Sequence, residues 1–171
     1  LDRKEPLILA IDTSTPRLSV SLSVAGAPLT RTFDGQGSHQ ERLFPFIEEL
    51  LAEAKAALRS LSAVAVVVGP GSFTGLRIGL SAAKSLAGAL AVPLYAINRL
   101  DLEAGAAGWS LPLVDARRRA YYAALYRDGA RRGAYLDLPQ EELPRLLAAP
   151  SAYFGFPIPS LSVHGAWQAA W

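Results

Sequence analysis

The sequence predicts an α/β architecture on a mixed sheet, and three observations carry that prediction. Short strand-like segments come first, before any helical pattern. Two segments with apolar residues at helical spacing follow, and each leads into another apolar strand. The connections between them are short clusters of Gly, Pro, Ser and Asp, the residues of tight turns. Between Leu7 and Asn98 the resulting order is βββαβαβ, a meander whose later strands add parallel to the same sheet.

Each element has its own signature. Leu7 to Ile11 is an apolar run that stops at Asp12-Thr13-Ser14-Thr15-Pro16, so it reads as a buried strand. Leu18 to Val24 alternates apolar and polar, which covers a core on one face only. Gly26-Ala27-Pro28 then turns the chain into a third strand, Leu29 to Phe33. From Ser38 the period changes: Leu43, Phe46, Ile47, Leu50, Leu51 and Ala54 mark an amphipathic helix, with Ser38 as N-cap, Glu41 completing a capping box, and Pro45 near the first turns. Ala63 to Val68 is a fully apolar strand ending at Gly69-Pro70-Gly71. Thr74 to Leu90 is the second helix, and Leu94 to Asn98 closes the unit.

After a short helical stretch, Leu111 to Asp115 and Tyr121 to Tyr126 read as strands joined by Ala116-Arg117-Arg118-Arg119, the start of a second, similar meander. The chain therefore divides into two related halves, residues 1–99 and 100–171, the second incomplete. Beyond Gly129, Pro139, Pro144, Pro150, Pro157 and Pro159 interrupt every long pattern, and one short helix is expected near Glu141 to Leu147.

Composition narrows the chemistry. With 171 residues, 51% of them hydrophobic and 19% charged, the chain has material for a core and none of the marks of disorder. No apolar run approaches the roughly 20 residues that cross a bilayer. The opening Leu1-Asp2-Arg3-Lys4-Glu5 lacks the apolar stretch of a secretory signal, so a cytoplasmic location is expected, and the missing initiator Met reads as a trimmed chain. Cysteine is absent, which excludes disulfides, a thiolate nucleophile and thiolate-ligated metal. A net charge of +2 permits nucleic-acid binding without indicating it.

The strongest local signal is Gly69-Pro70-Gly71-Ser72-Phe73-Thr74-Gly75-Leu76-Arg77, between a buried strand and a helix. Bare amides and a helix dipole in that position suit an anion. The loop lacks the Lys-Ser/Thr end of a Walker loop and the glycine spacing of a dinucleotide fingerprint, so glycines serving a tight turn and close helix packing are the other reading. Asp12, Thr13 and Ser14 follow the first strand, where the actin/hexokinase superfamily sets an acid and small hydroxyls against nucleotide phosphates; capping and turn formation explain the same residue types. Asp12, Thr13, Ser14, Gly69 and Gly71 are thus the candidate cofactor-binding residues. Ser72 stands one place too early for a nucleophile elbow. The only candidate bases are His39, at a helix start, and His164, in the poorly patterned tail; no His-Glu-x-x-His is present. Arg117, Arg118 and Arg119, close to Tyr121 and Tyr122, have the character of a nucleic-acid contact or of a solvated hairpin turn.

The second helix is apolar almost all round, and the first carries Phe44 beside its main stripe. Such helices bury more than one face, which points to a partner interface of Phe44, Ile47, Leu51, Gly75, Leu76, Gly79, Ala82, Ala83 and Leu86, its small residues letting another helix approach.

Four segments together carry a family resemblance: Leu9-Ala10-Ile11-Asp12-Thr13-Ser14-Thr15; His39-Gln40-Glu41-Arg42-Leu43-Phe44-Pro45; Val68 through Gly79; and Asp115-Ala116-Arg117-Arg118. In order and spacing the chain resembles the TsaB (YeaZ) family from about Leu7 to Arg127. The resemblance implies an actin/hexokinase-like (ASKHA, RNase H-like) fold of two related βββαβαβ-type domains, the second shortened. It also implies a part in making threonylcarbamoyladenosine beside the anticodon of tRNAs that read codons beginning with A. The expected partners are the catalytic paralogue TsaD, a second copy of the chain when TsaD is absent, and a TsaE-type ATPase within the complex, with a tRNA contact through Arg117, Arg118 and Arg119. In TsaD a His-x-x-x-His pair holds metal; Arg99 and Glu103 stand at those positions here, and a cation and a carboxylate do not replace two imidazoles. No metal site and no catalytic residue are therefore expected, with nucleotide bound only in the complex. The competing readings are a sugar-kinase-like nucleotide binder and a glycoprotease-type (M22-like) hydrolase.

Overall fold

Strand β1 (Ile8–Asp12) is the axis of the first sheet: β2 (Arg17–Leu22) pairs with it antiparallel, and β4 (Ala63–Gly69) lies parallel on its other side. Adding β3 (Leu29–Asp34) beside β2 and β5 (Leu94–Asn98) beside β4 gives the order β3-β2-β1-β4-β5. The computed structural model describes residues 5–25, 27–35 and 38–165, and the chain divides into two compact units, Leu1–Ile97 and Asn98–Trp171. Gly26 of the expected turn and the opening residues 1–4 lie outside the described residues.

Alternation sets the register. Leu18, Val20 and Leu22 of β2 face the same side as Leu9 and Ile11 of β1, with Ile11 opposite Val20, so all five lie in one core. Helix α1 (His39–Glu53) adds Leu43, Phe46, Ile47, Leu50 and Leu51 to that core, and α2 (Phe73–Leu90) adds Ala82, Ala83 and Ala87. The expected capping box at Ser38 does not form. Ser38 occupies the N-cap position at φ −105° and ψ 9° with no side-chain cap bond, because the extended backbone that aims a capping hydroxyl at the first amides is absent. Ser72 has that backbone, at φ −60° and ψ 120°, and its Oγ accepts from the Gly75 amide at 3.3 Å. Pro45 lies inside α1.

The second unit opens with α3 (Arg99–Glu103) and β6 (Trp109–Asp115). The chain returns antiparallel along β6 as β7 (Ala120–Ala123) and, after an interruption, β8 (Tyr126–Arg127), which pairs with β9 (Ala130–Arg131). Then β10 (Leu136–Pro139) pairs antiparallel with β7, two short helices follow, α4 (Leu143–Ala148) and α5 (Pro150–Phe154), and β11 (Ser162–Gly165) joins β6 in parallel. Strands β7, β10 and β11 thus surround β6 as β2, β3 and β4 surround β1. The actin/hexokinase-like pattern occurs twice, the second time shorter and widened by the β8–β9 hairpin. Leu111 and Leu113 of β6 pack with Tyr121, Leu138, Leu143 and Leu146, while Val114 packs with Leu100 and Tyr126. Among the described residues no helix is long and apolar enough to cross a membrane.

Candidate functional site

In the first unit the two loops expected to face a phosphate face each other instead. The Asp12 carboxylate accepts both the amide (2.8 Å) and the hydroxyl (2.6 Å) of Ser14, closing an Asx turn at the end of β1. Thr13 is fully buried, and its Oγ1 has no hydrogen-bond partner among the described residues. Above it come the glycines of the second loop and of α2. A Cβ at Gly71 would overlap the Ser14 carbonyl, one at Gly75 the Thr13 carbonyl, and one at Gly79 the Thr13 hydroxyl. The Ser72 amide donates to the Ser14 carbonyl at 2.7 Å, and Gly69 turns the chain at a φ of 115°. These glycines serve close packing of α2 on the first loop. Asp12 is thus engaged with Ser14, and Ser72 with Ser14 and Gly75, within the chain itself. Calorimetry with ATP and magnesium on the isolated chain is expected to give a Kd no tighter than about 1 mM, roughly −4 kcal/mol.

The remaining candidates have structural partners. His39 is buried, and its Nε2 donates to the Pro16 carbonyl at 3.0 Å, tying the start of α1 to the loop after β1. His164 lies in β11 opposite Pro112. Arg99 and Glu103 bond each other at 3.4 Å along α3, and among the described residues no three His, Asp or Glu side chains converge as a metal cage would require.

Burial also redistributes the expected interface. Ile47, Leu51, Gly75, Gly79, Ala82 and Ala83 are buried within this unit, because the small residues of α2 form the stripe that approaches the sheet and the first loop. Leu76 and Leu86 are half-buried at the flanks of that stripe, and the outward face carries Arg77, Ser81, Lys84 and Ser85. The apolar surface left is narrower than the sequence suggests. It is a groove of about 440 Å³ between α1 and α2, lined by Leu43, Phe44, Ile78 and Ala82 with Gln40, Arg77 and Ser81 at its rim. Phe44 is 48% exposed beside it. Phe73, which sequence reasoning treated only as part of the glycine-rich motif, is 68% exposed under the Arg77 guanidinium.

In the second unit the β6–β7 turn brings Arg118 and Arg119 to a groove of about 790 Å³ shared with Tyr122, Asp137 and Glu141. Asp137 and Glu141 were not legible as site residues: their segment is dense in proline, and only pairing places Asp137 opposite Tyr122.

The chain also has relatives. The family model for TsaD, tRNA N6-adenosine threonylcarbamoyltransferase, matches residues 35–159. An uncharacterized protein of Mycobacterium tuberculosis is 41% identical over 131 residues, 72% of this chain and 61% of its own length. The Bacillus subtilis tRNA threonylcarbamoyladenosine biosynthesis protein TsaB is 37% identical over 128 residues, 70% of this chain and 55% of its own. The chain thus spans between about half and three fifths of these relatives. Among solved structures, YeaZ from Pseudomonas aeruginosa superimposes with a TM-score of 0.73 at 34% identity, over 81% of this chain and 69% of that one. A family model matched over most of the chain, and a YeaZ structure alike in sequence and in fold, make this protein a member of the TsaB/YeaZ family.

Proposed function

We propose that the protein is a non-catalytic partner subunit of the complex that transfers a threonylcarbamoyl group to the adenosine beside the anticodon of tRNAs reading codons that begin with A, and that the groove between α1 and α2 docks its TsaD-type catalytic paralogue. One observation carries the docking assignment: Phe44 and Phe73 stand exposed on α1 and α2, two helices whose other large apolar side chains are buried or half-buried. Exposed aromatics beside a groove are the usual anchors of an interface. A paralogue carries the same pair of helices, so its matching face fits this one, and without it a second copy of the chain closes the same surface about a twofold axis. The relatives named for tRNA threonylcarbamoyladenosine biosynthesis support the reaction. A TsaE-type ATPase completes the proposed complex, and a role in tRNA modification fits a cytoplasmic location.

Size exclusion with light scattering, on the chain alone and with the paralogue, tests the docking. Phe44→Glu and Ser81→Arg change exposed positions and are expected to leave the fold intact, which circular dichroism checks. Each is expected to weaken pairing at least tenfold, about 1.4 kcal/mol, because it forces an unpaired charge into the contact. Pairing of both folded variants at parental strength refutes the assignment. A micromolar affinity for ATP in the calorimetric experiment favours the sugar-kinase-like reading instead.

A further inference from the structure

We infer that the groove at the β6–β7 turn binds single-stranded RNA, one nucleotide at a time, with Arg118 and Arg119 on phosphate, Tyr122 stacked on the base, and Asp137 and Glu141 accepting from its exocyclic amine. This rests on the tRNA-modification reading only for which RNA is the natural ligand.

The arginines come first. Arg117, Arg118 and Arg119 come from one turn, are exposed and form no ion pair among the described residues, and Arg118 and Arg119 line one groove. Two of the three have left-handed backbone, Arg117 at φ 59° and Arg119 at φ 56°, where glycine or asparagine is the easier choice. The turn is rigid as well as strained. Asp115 Oδ1 accepts from the Arg117 amide at 2.7 Å, the Ala116 amide donates to the Ala120 carbonyl at 3.0 Å, and the Arg119 carbonyl accepts from the Gln140 amide at 2.8 Å.

The rest of the groove matches the rest of a nucleotide. Tyr121 is buried in the core, but Tyr122 projects from the opposite face of β7 with 42% of its surface open, a free ring on which a base can stack. Across the register from Tyr122 stands Asp137, and Glu141 lines the same groove. The two carboxylates can accept hydrogen bonds from the exocyclic amines of adenine and cytosine, which uracil lacks. Ala116, Ala120 and Pro139 leave the floor low, so the opening is wide enough for a base and its phosphate.

Fluorescence anisotropy of the full chain with labelled A-octamer and U-octamer RNA, over a range of salt, tests the site. The A-octamer is expected to bind about tenfold more tightly than the U-octamer, whose bases lack the amine, and several-fold more tightly than AMP, because any of its nucleotides can enter the groove. The double variant Arg118→Ala/Arg119→Ala loses about tenfold or more, and the slope of log affinity against log salt falls by about 1.4, roughly 0.7 for each lost phosphate contact. Asp137→Asn/Glu141→Gln abolishes the preference for A over U and leaves the slope alone. Arg119→Gly, which suits its φ, keeps a melting temperature no lower than the parent's while weakening RNA binding, a loss that misfolding cannot explain. An unchanged salt slope in the arginine double variant, an A-octamer bound no better than AMP, or a preference for polyglutamate over RNA overturns the inference. Light scattering with the paralogue on the same variants separates it from the docking assignment: pairing kept with no RNA binding sinks this site alone, and RNA binding kept with no pairing sinks the docking alone.

Discussion

Gly75→Ala is expected to destabilise the first unit by about 3 kcal/mol, while Gly88→Ala in the same helix stabilises it by about 1 kcal/mol. Helix propensity alone predicts a gain at both positions, since alanine exceeds glycine by about 1 kcal/mol in a helix interior. Packing reverses the sign at Gly75. A methyl there meets the main-chain carbonyl of Thr13, which no side-chain rotation can clear, so either α2 or the loop after β1 must move. At Gly88 the added carbon has nothing within 4 Å. Gly79→Ala falls between the two, because the atom it strikes is the Thr13 hydroxyl, the end of a side chain that can turn. Urea unfolding measures all three. If Gly75→Ala proves as stable as the parent, α2 does not sit on the first loop as described.

Tyr126→Phe is expected to cost the second unit about 2 kcal/mol at neutral pH, the worth of a buried hydrogen bond to a charged group. The Tyr126 ring is almost wholly buried between α3 and β6, and its hydroxyl donates to Asp101 Oδ1 at 2.5 Å. Burial first, and then this bond to the Asp101 carboxylate, raise the phenol well above its ordinary pKa of 10.0. A pKa raised by folding adds stability that is fully present below pH 10 and lost above it, because the unfolded chain releases the proton first. Each pH unit above about 10 then costs close to 1.4 kcal/mol until the folded phenol also ionises. The parent should lose stability steeply on that alkaline limb, and Tyr126→Phe should flatten it. Tyr153, raised in the same direction by burial and by its 2.9 Å bond to Glu142, leaves a residual slope in the Phe variant. Equal alkaline slopes in parent and variant would mean that the phenol is not held as described.

The elements read most clearly in the sequence are those whose pattern is written within a few residues. β1, β4 and β5 announce themselves as apolar runs bounded by turn formers, and α1 by its repeat of Leu43, Phe46, Ile47, Leu50 and Leu51. β11 did not, since Ser162–Gly165 offers Val163 as its one aliphatic residue and becomes a strand by pairing with the preformed edge of β6. β10 was hidden similarly by the prolines around it and is defined by its register with β7. At the sites, the arginine turn and the glycine-rich loop were visible as residue types, but their neighbours were not. Asp137 and Glu141 reach the Arg118 groove only through that pairing.

By itself, then, the sequence determined the α/β class, the order of the first seven elements, the repeat of the meander and, through four spaced motifs, the family. These rest on local periodicity and turn chemistry, which act between residues close in the chain. Only the tertiary structure decided which way each helix face points. The small residues of α2 are equally suited to a partner helix or to this unit's own sheet, and periodicity does not distinguish the two. The choice is made by Thr13, some sixty positions earlier in the chain, whose carbonyl and hydroxyl occupy the space that Gly75 and Gly79 leave open. Close packing between distant segments satisfies all its contacts together, so a stripe that looked like an interface became core, and the exposed apolar surface contracted to the groove beside Phe44.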